Sequence, residues 1–287
     1  MTRSTVLIDV AEVMRQLAEG HQPAILDVRW RMDQPDGRET YLAGHIPGAV
    51  HVSLEDELSD HSRTGRGRHP LPSGTELQTA ARRWGLRVDQ QVIVYDDWNR
   101  AGSARAWWVL TAAGIDNVRI LDGGLAAWTA AGGELQAHAP QFPPGDVSVV
   151  HDDLYAGARA TLTAQQVSDG GVTVLLDARA PQRFRGEFEP VDPVAGHIPG
   201  ARNVPSTLVL ADDGAFLADA DLRALWADIG VADNDVGVYC GSGVTASVVL
   251  AALSATGIEG ALFPGSWSQW CWGSQSSKAV DQRYAAE

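Results

Sequence analysis

The sequence predicts an α/β fold of two tandem domains, each a largely parallel sheet flanked by helices. Three observations carry this expectation. Short runs rich in Val, Ile and Leu show no in-and-out alternation, as strands buried on both faces do. Helical stretches separate them, the pattern of a layered α/β sheet. The chain also repeats itself, a feature that governs architecture more than any single element. Ile25-Leu26-Asp27-Val28-Arg29 and Gly44-His45-Ile46-Pro47-Gly48-Ala49 return as Leu175-Leu176-Asp177-Ala178-Arg179 and Gly196-His197-Ile198-Pro199-Gly200-Ala201. Val92-Ile93-Val94-Tyr95 returns as Val236-Gly237-Val238-Tyr239. Leu121-Asp122-Gly123-Gly124 through Trp128 returns as Phe263-Pro264-Gly265-Ser266 through Trp270.

Taken in order, residues 25–28, 92–95 and 118–121 read as buried strands, with a helix over 102–113 between the last two. Residues 137–145, with Pro140, Pro143 and Pro144, break both periodicities and read as a linker. In the second half, 174–176 and 237–239 read as strands and 244–255 as a helix. The expected domains are 1–145 and 146–287, each near the commonest domain size of roughly 100–150 residues. In such sheets chemistry gathers beyond the C-terminal ends of the strands.

Composition narrows the function. With 45% hydrophobic and 20% charged residues the chain is globular. A net charge of −14 argues against nucleic acid, whose partners display a basic face. Asp9 and Glu12 interrupt the start before a signal-peptide core develops. Residues 236–258 carry no charged side chain, yet Gly237, Gly241, Gly243 and Gly257 divide them. A strand, a loop and a helix are expected there rather than a membrane span. The two cysteines, Cys240 and Cys271, form no disulfide framework, so a reducing, cytoplasmic setting is expected. There is no CxxC pair or His/Cys cluster, so neither a metal nor an organic cofactor is expected.

The chemistry points to one loop. Cys240-Gly241-Ser242-Gly243-Val244-Thr245-Ala246 lies between a strand and a helix. Its glycines let successive N–H groups turn inward, and the helix adds the positive end of its dipole. A thiolate is stabilised there and is ready to act as a nucleophile. Cys271, between Trp270 and Trp272 with no such cradle, has no assigned role. In the first half, Asp96 of Asp96-Asp97-Trp98-Asn99-Arg100 stands where Cys240 stands, and a carboxylate cannot carry sulfur. The first domain is therefore expected to be catalytically silent and to wall the cleft.

These residues together resemble the rhodanese family, specifically its tandem-domain thiosulfate and 3-mercaptopyruvate sulfurtransferases. The likeness spans nearly the whole chain and rests on the paired Gly-His-Ile-Pro-Gly-Ala segments, the Cys240 loop and Pro264-Gly265-Ser266-Trp267. It implies a sulfurtransferase in which Cys240 takes sulfur from a donor as a persulfide. Cyanide, small thiols and thioredoxin are the implied acceptors. The uncharged Gly241-Ser242 pair looks like the mercaptopyruvate branch, because the thiosulfate branch typically has Arg and Lys there. That branch also implies a Ser-His-Asp relay, carried over here to Ser242, His45 and Asp36. His197 occupies the same motif as His45, so a structural role for that histidine stays open. Arg183 matches the family's substrate-binding arginine, and Arg179, like Arg29, a structural one. A second substrate arginine expected after Glu189-Pro190 is Val191 here, with Arg185 or Arg100 as possible substitutes. The donor stays open between thiosulfate and 3-mercaptopyruvate. Trp30 and Trp98 are candidates for the cleft mouth or for interdomain packing.

Two other readings fit less well. A phosphatase on this fold needs Cys-x5-Arg, but Ala246 stands at the arginine position and no basic residue falls between Cys240 and Glu259. The other alternative is a non-catalytic sulfur carrier or partner-binding module; some such modules lose the nucleophile, whereas Cys240 is present with its loop intact.

Overall fold

In the computed structural model, residues 1–231 and 235–273 are described. The first half runs α1 (Arg3–Val6), β1 (Leu7–Ile8), α2 (Val10–Ala18), β2 (Ala24–Asp27), α3 (Arg38–Ala43), β3 (Val50–His51) and α4 (Leu54–Glu57). It continues through α5 (Gly74–Arg83), β4 (Val92–Tyr95), α6 (Ala101–Ala112), β5 (Val118–Leu121) and α7 (Gly124–Ala130). The second half begins with α8 (Ala164–Ser168), β6 (Val174–Asp177), α9 (Pro181–Phe184), β7 (Arg202–Asn203) and α10 (Asp219–Asp228). It closes with β8 (Val236–Tyr239), α11 (Ala246–Ala255), β9 (Gly260–Leu262) and α12 (Ser266–Trp270).

Each half forms its own all-parallel sheet, in the order β1-β5-β4-β2-β3 and β7-β6-β8-β9. Both central strands, β4 and β8, are wholly buried, which is why their sequences are unbroken apolar runs. The expected strands and helices are present with small shifts at their ends, and the short outer strands β1, β3, β7 and β9 were not foreseen. Two- and three-residue edge strands carry too little sequence to show a period.

The repeat is a repeat of hydrogen bonds. Asp27 holds Arg29, and Asp177 holds Arg179, each through paired contacts of 2.7–3.1 Å. The arginines reach on to the Gly44 and Gly196 carbonyls, and the Tyr95 and Tyr239 hydroxyls accept from the Ile46 and Ile198 N–H groups. These buried ion pairs brace the turn after the strand, as expected of Arg29 and Arg179.

Every residue of α6 and of α11 is buried, because the two helices pack against each other where the domains meet. A helix that is apolar all round must be enclosed on every side. That enclosure accounts for the charge-free stretch 236–258, and no helix among the described residues is long and apolar enough to cross a membrane. Residues 145–158 run along the first domain, with Gly145, Val147, Val150 and Ala158 donating to the Arg82, Leu86, Ala113 and Ala112 carbonyls. From α1, Arg3 reaches Asp122 on one domain and Asp219 with the Phe216 and Leu217 carbonyls on the other.

Candidate functional site

Cys240 sits immediately beyond β8, 1% exposed, with its Sγ accepting the Gly243 N–H at 3.1 Å. Two features force the loop into this shape. Gly243 has φ +81°, and a Cβ there would lie 2.6 Å from the Pro264 carbonyl oxygen, so only glycine fits. From the other side Ser266 accepts the Cys240 N–H, while Trp267 and Ser268 donate to the Cys240 and Gly241 carbonyls. The closing Pro264-Gly265-Ser266-Trp267 segment thus serves as the loop's backing.

The thiol opens into a cleft of about 260 Å³ between the domains. Gly241, Ser242, Val244, Thr245 and Arg183 line it from the second domain, and Trp30, Met32, Arg68 and Trp98 from the first. Hollows of about 660 and 610 Å³ lie around Arg159 and beside Trp272, but neither includes Cys240. Trp98 is half exposed at the mouth, with Arg31 above its ring, so both tryptophans belong to the cleft wall.

The structure does not bring Ser242, His45 and Asp36 together. Ser242 Oγ lies 2.7 Å from His69 Nδ1, not near His45. His69 Nε2 lies 3.1 Å from Glu55, whose carboxylate also accepts from Trp30 Nε1 at 2.6 Å. His45 donates through Nδ1 to the Tyr41 carbonyl and stacks on Tyr41, and His197 does the same with Phe184. The motif histidine is therefore an internal brace in both halves. Asp36 is exposed and accepts the Arg38 N–H at the start of α3. The missed signal was asymmetry: Glu55, Arg68 and His69 belong to the connection between β3 and α5, and the corresponding connection between β7 and α10 contains no Glu, Arg or His.

Burial would raise the Glu55 pKa, but the His69 and Trp30 hydrogen bonds outweigh it and hold the carboxyl at about 2. Glu55 is therefore ionised and only accepts, so His69 Nε2 carries a proton. Burial lowers the His69 pKa, which favours the neutral ring and leaves Nδ1 free to accept the Ser242 hydroxyl proton.

The second arginine is also corrected. Arg100 is buried against Gly124 and paired with Asp96, and Arg185 is exposed and paired with Glu187, so neither substitutes. The cleft's second guanidinium is Arg68. A Cβ on Gly241 would stand 3.0 Å from Arg68 Nη2 and 3.5 Å from Arg183 Nη1 and Nη2. Two cations from two domains thus hang over an uncharged loop. Both are tethered: Arg183 to Glu189 at 2.6 Å and to Asp192 at 3.5 Å, and Arg68 to Asp192.

Asp96 fills its own cradle, accepting from the Trp98, Arg100 and Ser103 N–H groups and the Ser103 hydroxyl at 2.6–3.2 Å. Burial raises the Cys271 pKa to about 11, leaving it a poor nucleophile. No cluster of three or more His, Cys, Asp or Glu among the described residues is placed to hold a metal.

Comparison with known proteins places both halves of the chain in one family. The rhodanese-like domain profile matches residues 9–131 and again 159–271. A Mycobacterium tuberculosis protein named for thiosulfate sulfurtransferase activity is 64% identical over 93% of this chain and 94% of its own. A Pseudomonas aeruginosa protein named for 3-mercaptopyruvate sulfurtransferase activity is 46% identical over 86% of this chain and 88% of its own. The crystal structure of Escherichia coli SseA, described as a 3-mercaptopyruvate sulfotransferase with the rhodanese fold, superposes with a TM-score of 0.78 at 33% identity. That match covers 92% of this chain and 99% of SseA.

Proposed function

Because this chain belongs to the rhodanese-like family and is a sulfurtransferase of the thiosulfate and 3-mercaptopyruvate class, we propose that Cys240 carries the sulfur as a persulfide and that 3-mercaptopyruvate donates it. The observation that carries the donor assignment is the Ser242–His69–Glu55 chain beside the thiol. Sulfite leaves thiosulfate without needing a proton. Pyruvate leaves mercaptopyruvate as an enolate and must be protonated at carbon, which is work for a relay.

The Cys240 thiolate attacks the donor sulfur, the S–S bond forms, and the C–S electron pair passes to the pyruvate enolate. The proton on the donor sulfur moves through Ser242 and His69 to the enolate carbon, leaving pyruvate and an anionic persulfide. An acceptor thiolate or cyanide then attacks the outer sulfur and frees the Cys240 thiolate. Arg68 and Arg183 hold the donor carboxylate by exchanging Asp192 and Glu189 for it, a geometry suited to planar anions. Thioredoxin is the proposed protein acceptor, and the cytoplasm the proposed setting. The first domain, 1–145, is proposed to be silent, contributing Arg68, His69 and Glu55 to a reaction centred in 146–287.

The test pairs mass spectrometry with initial rates. Donor treatment should add about 32 Da at Cys240, removed by cyanide or dithiothreitol, and Cys240→Ser should abolish both the adduct and turnover. Retained turnover in Cys240→Ser would sink the assignment. Higher kcat/KM for thiosulfate than for 3-mercaptopyruvate would reverse the donor.

A further inference from the structure

The Glu55 carboxylate holds a third partner that the relay does not need. His61 Nε2 stands 3.0 Å from Glu55 Oε2, the oxygen facing away from His69, and its ring lies edge-on to His69 with centroids 5.9 Å apart. About half of the His61 side chain is in solvent, whereas His69 is buried. One carboxylate thus serves a buried base on one oxygen and a surface imidazole on the other.

A carboxylate has a fixed amount of charge to share. Each donor that engages it weakens its support for a positive charge on the others. His61 donates through Nε2 whether its ring is neutral or cationic, and when cationic it also repels a charge on His69 directly. Both effects run in one direction.

We infer that His61 is a positioning residue for the transfer reaction: by occupying one oxygen of Glu55 it limits the charge reaching His69 and keeps that ring neutral and able to accept the Ser242 proton. The surroundings agree with this sense. His69 faces Glu55 from α4, Arg105 from α6, and Arg68 beside it in its own loop. Arg105 is fully buried, donates to the Leu58 and His69 carbonyls, and disfavours a second positive charge nearby, as Arg68 does. Glu55 is therefore the only group among these that favours the imidazolium, and His61 moderates it. Around His61 itself stand Glu55, Asp56, Glu57, Asp60, Glu76 and Arg83, which line the same surface hollow.

The inference rests on reading Ser242–His69–Glu55 as the relay, and the experiment separates the two. The pH dependence of kcat/KM for 3-mercaptopyruvate, with cyanide as acceptor, is measured for wild type, Ser242→Ala, His61→Ala and His61→Gln. Loss of the His61 donor should let His69 protonate more readily, so the acid limb of His61→Ala should move up. A shift of about half a pH unit, a roughly threefold loss on that limb, is the scale expected for one exposed hydrogen bond. His61→Gln, whose amide N–H reaches the same oxygen without titrating, should return the limb toward wild type. An unmoved limb in His61→Ala, or one that moves equally in His61→Gln, would overturn the role of His61. If Ser242→Ala keeps wild-type rates and an unchanged limb, the relay itself fails and the role of His61 fails with it.

Discussion

Arg68→Gln isolates the contribution of the first domain to donor binding. With Gly241 as the floor, the Arg68 and Arg183 guanidiniums stand 3.0 and 3.5 Å from where a Cβ on that glycine would lie, and the proposed donor carboxylate would meet both there. A charge-assisted hydrogen bond is worth about 1.5–3 kcal/mol, or roughly 10- to 150-fold in kcat/KM. Arg68 keeps 30% of its side chain exposed and shares its charge with Asp192, so solvent screening places the loss near the lower end, about tenfold.

The assay compares two donors that differ only in the group Arg68 is said to hold. 3-Mercaptopyruvate carries a carboxylate, and mercaptoacetone has a methyl in its place. Arg68→Gln should lower kcat/KM for the first about tenfold and leave the second within about twofold. Asp192→Asn should do the reverse, lowering KM for the anionic donor, because it releases both guanidiniums from a competing carboxylate. Equal losses on both donors would mean that Arg68 acts through folding or domain docking, and the carboxylate argument would be withdrawn.

Two further outcomes follow from the same geometry. Gly243→Ala should destabilise the protein by about 1–3 kcal/mol, from the left-handed backbone and the contact with the Pro264 carbonyl, and should lower kcat as the Cys240 loop shifts; an unchanged urea midpoint would refute this. Lowering pH should leave kcat/KM for mercaptopyruvate flat through the ordinary histidine range, because burial lowers the His69 pKa and its neutral form persists below 6.5. The unfolded chain binds that proton first, so His69 should make stability fall as pH drops below its unfolded pKa. A titration of kcat/KM centred above 6.5 and lost in His69→Gln would contradict the assigned state.

What the sequence disclosed and what it hid divide along a physical line. Burial leaves a local trace: β4, β8 and α11 carry no charged residue and α6 only Arg105, because they are covered on every side, and their residues say so. The Cys240 loop was also legible, since a strand end, two glycines and a helix start are adjacent in the chain. The relay was not, because Ser242 and His69 are separated by 173 positions and meet only when the domains close on each other. Matching a motif histidine by name led to His45, yet its repeat partner His197 makes the same stacked contact with Phe184 that His45 makes with Tyr41. In a duplicated chain, residues shared by both halves build the fold, and the unshared ones carry the asymmetry a reaction needs. Arg68 and Asp192 obey that rule too.

Asp96 shows what the first domain keeps of the same machinery. Both domains aim donors at the point just beyond the central strand, where the second domain places Cys240 Sγ and the first places the Asp96 carboxylate. Asp96 takes up four such hydrogen bonds and an ion pair with Nη2 of Arg100, which is 1% exposed and whose Nε and Nη1 have no hydrogen-bond partner among the described residues. Removing one member of a buried pair strands the other, at about 3–5 kcal/mol. Asp96→Ala should therefore lose that much in urea unfolding, and Asp96→Asn, which keeps acceptors for some of the N–H groups, should lose less. Cys240→Ala leaves no buried charge behind and should be close to neutral. If Asp96→Ala were no worse than Cys240→Ala, the aspartate would not be the internal anion of its cradle. The large difference expected instead would mean that the first-domain cradle is filled by its own internal anion and serves the fold, in keeping with the proposal that the first domain contributes Arg68, His69 and Glu55 to a reaction centred in the second.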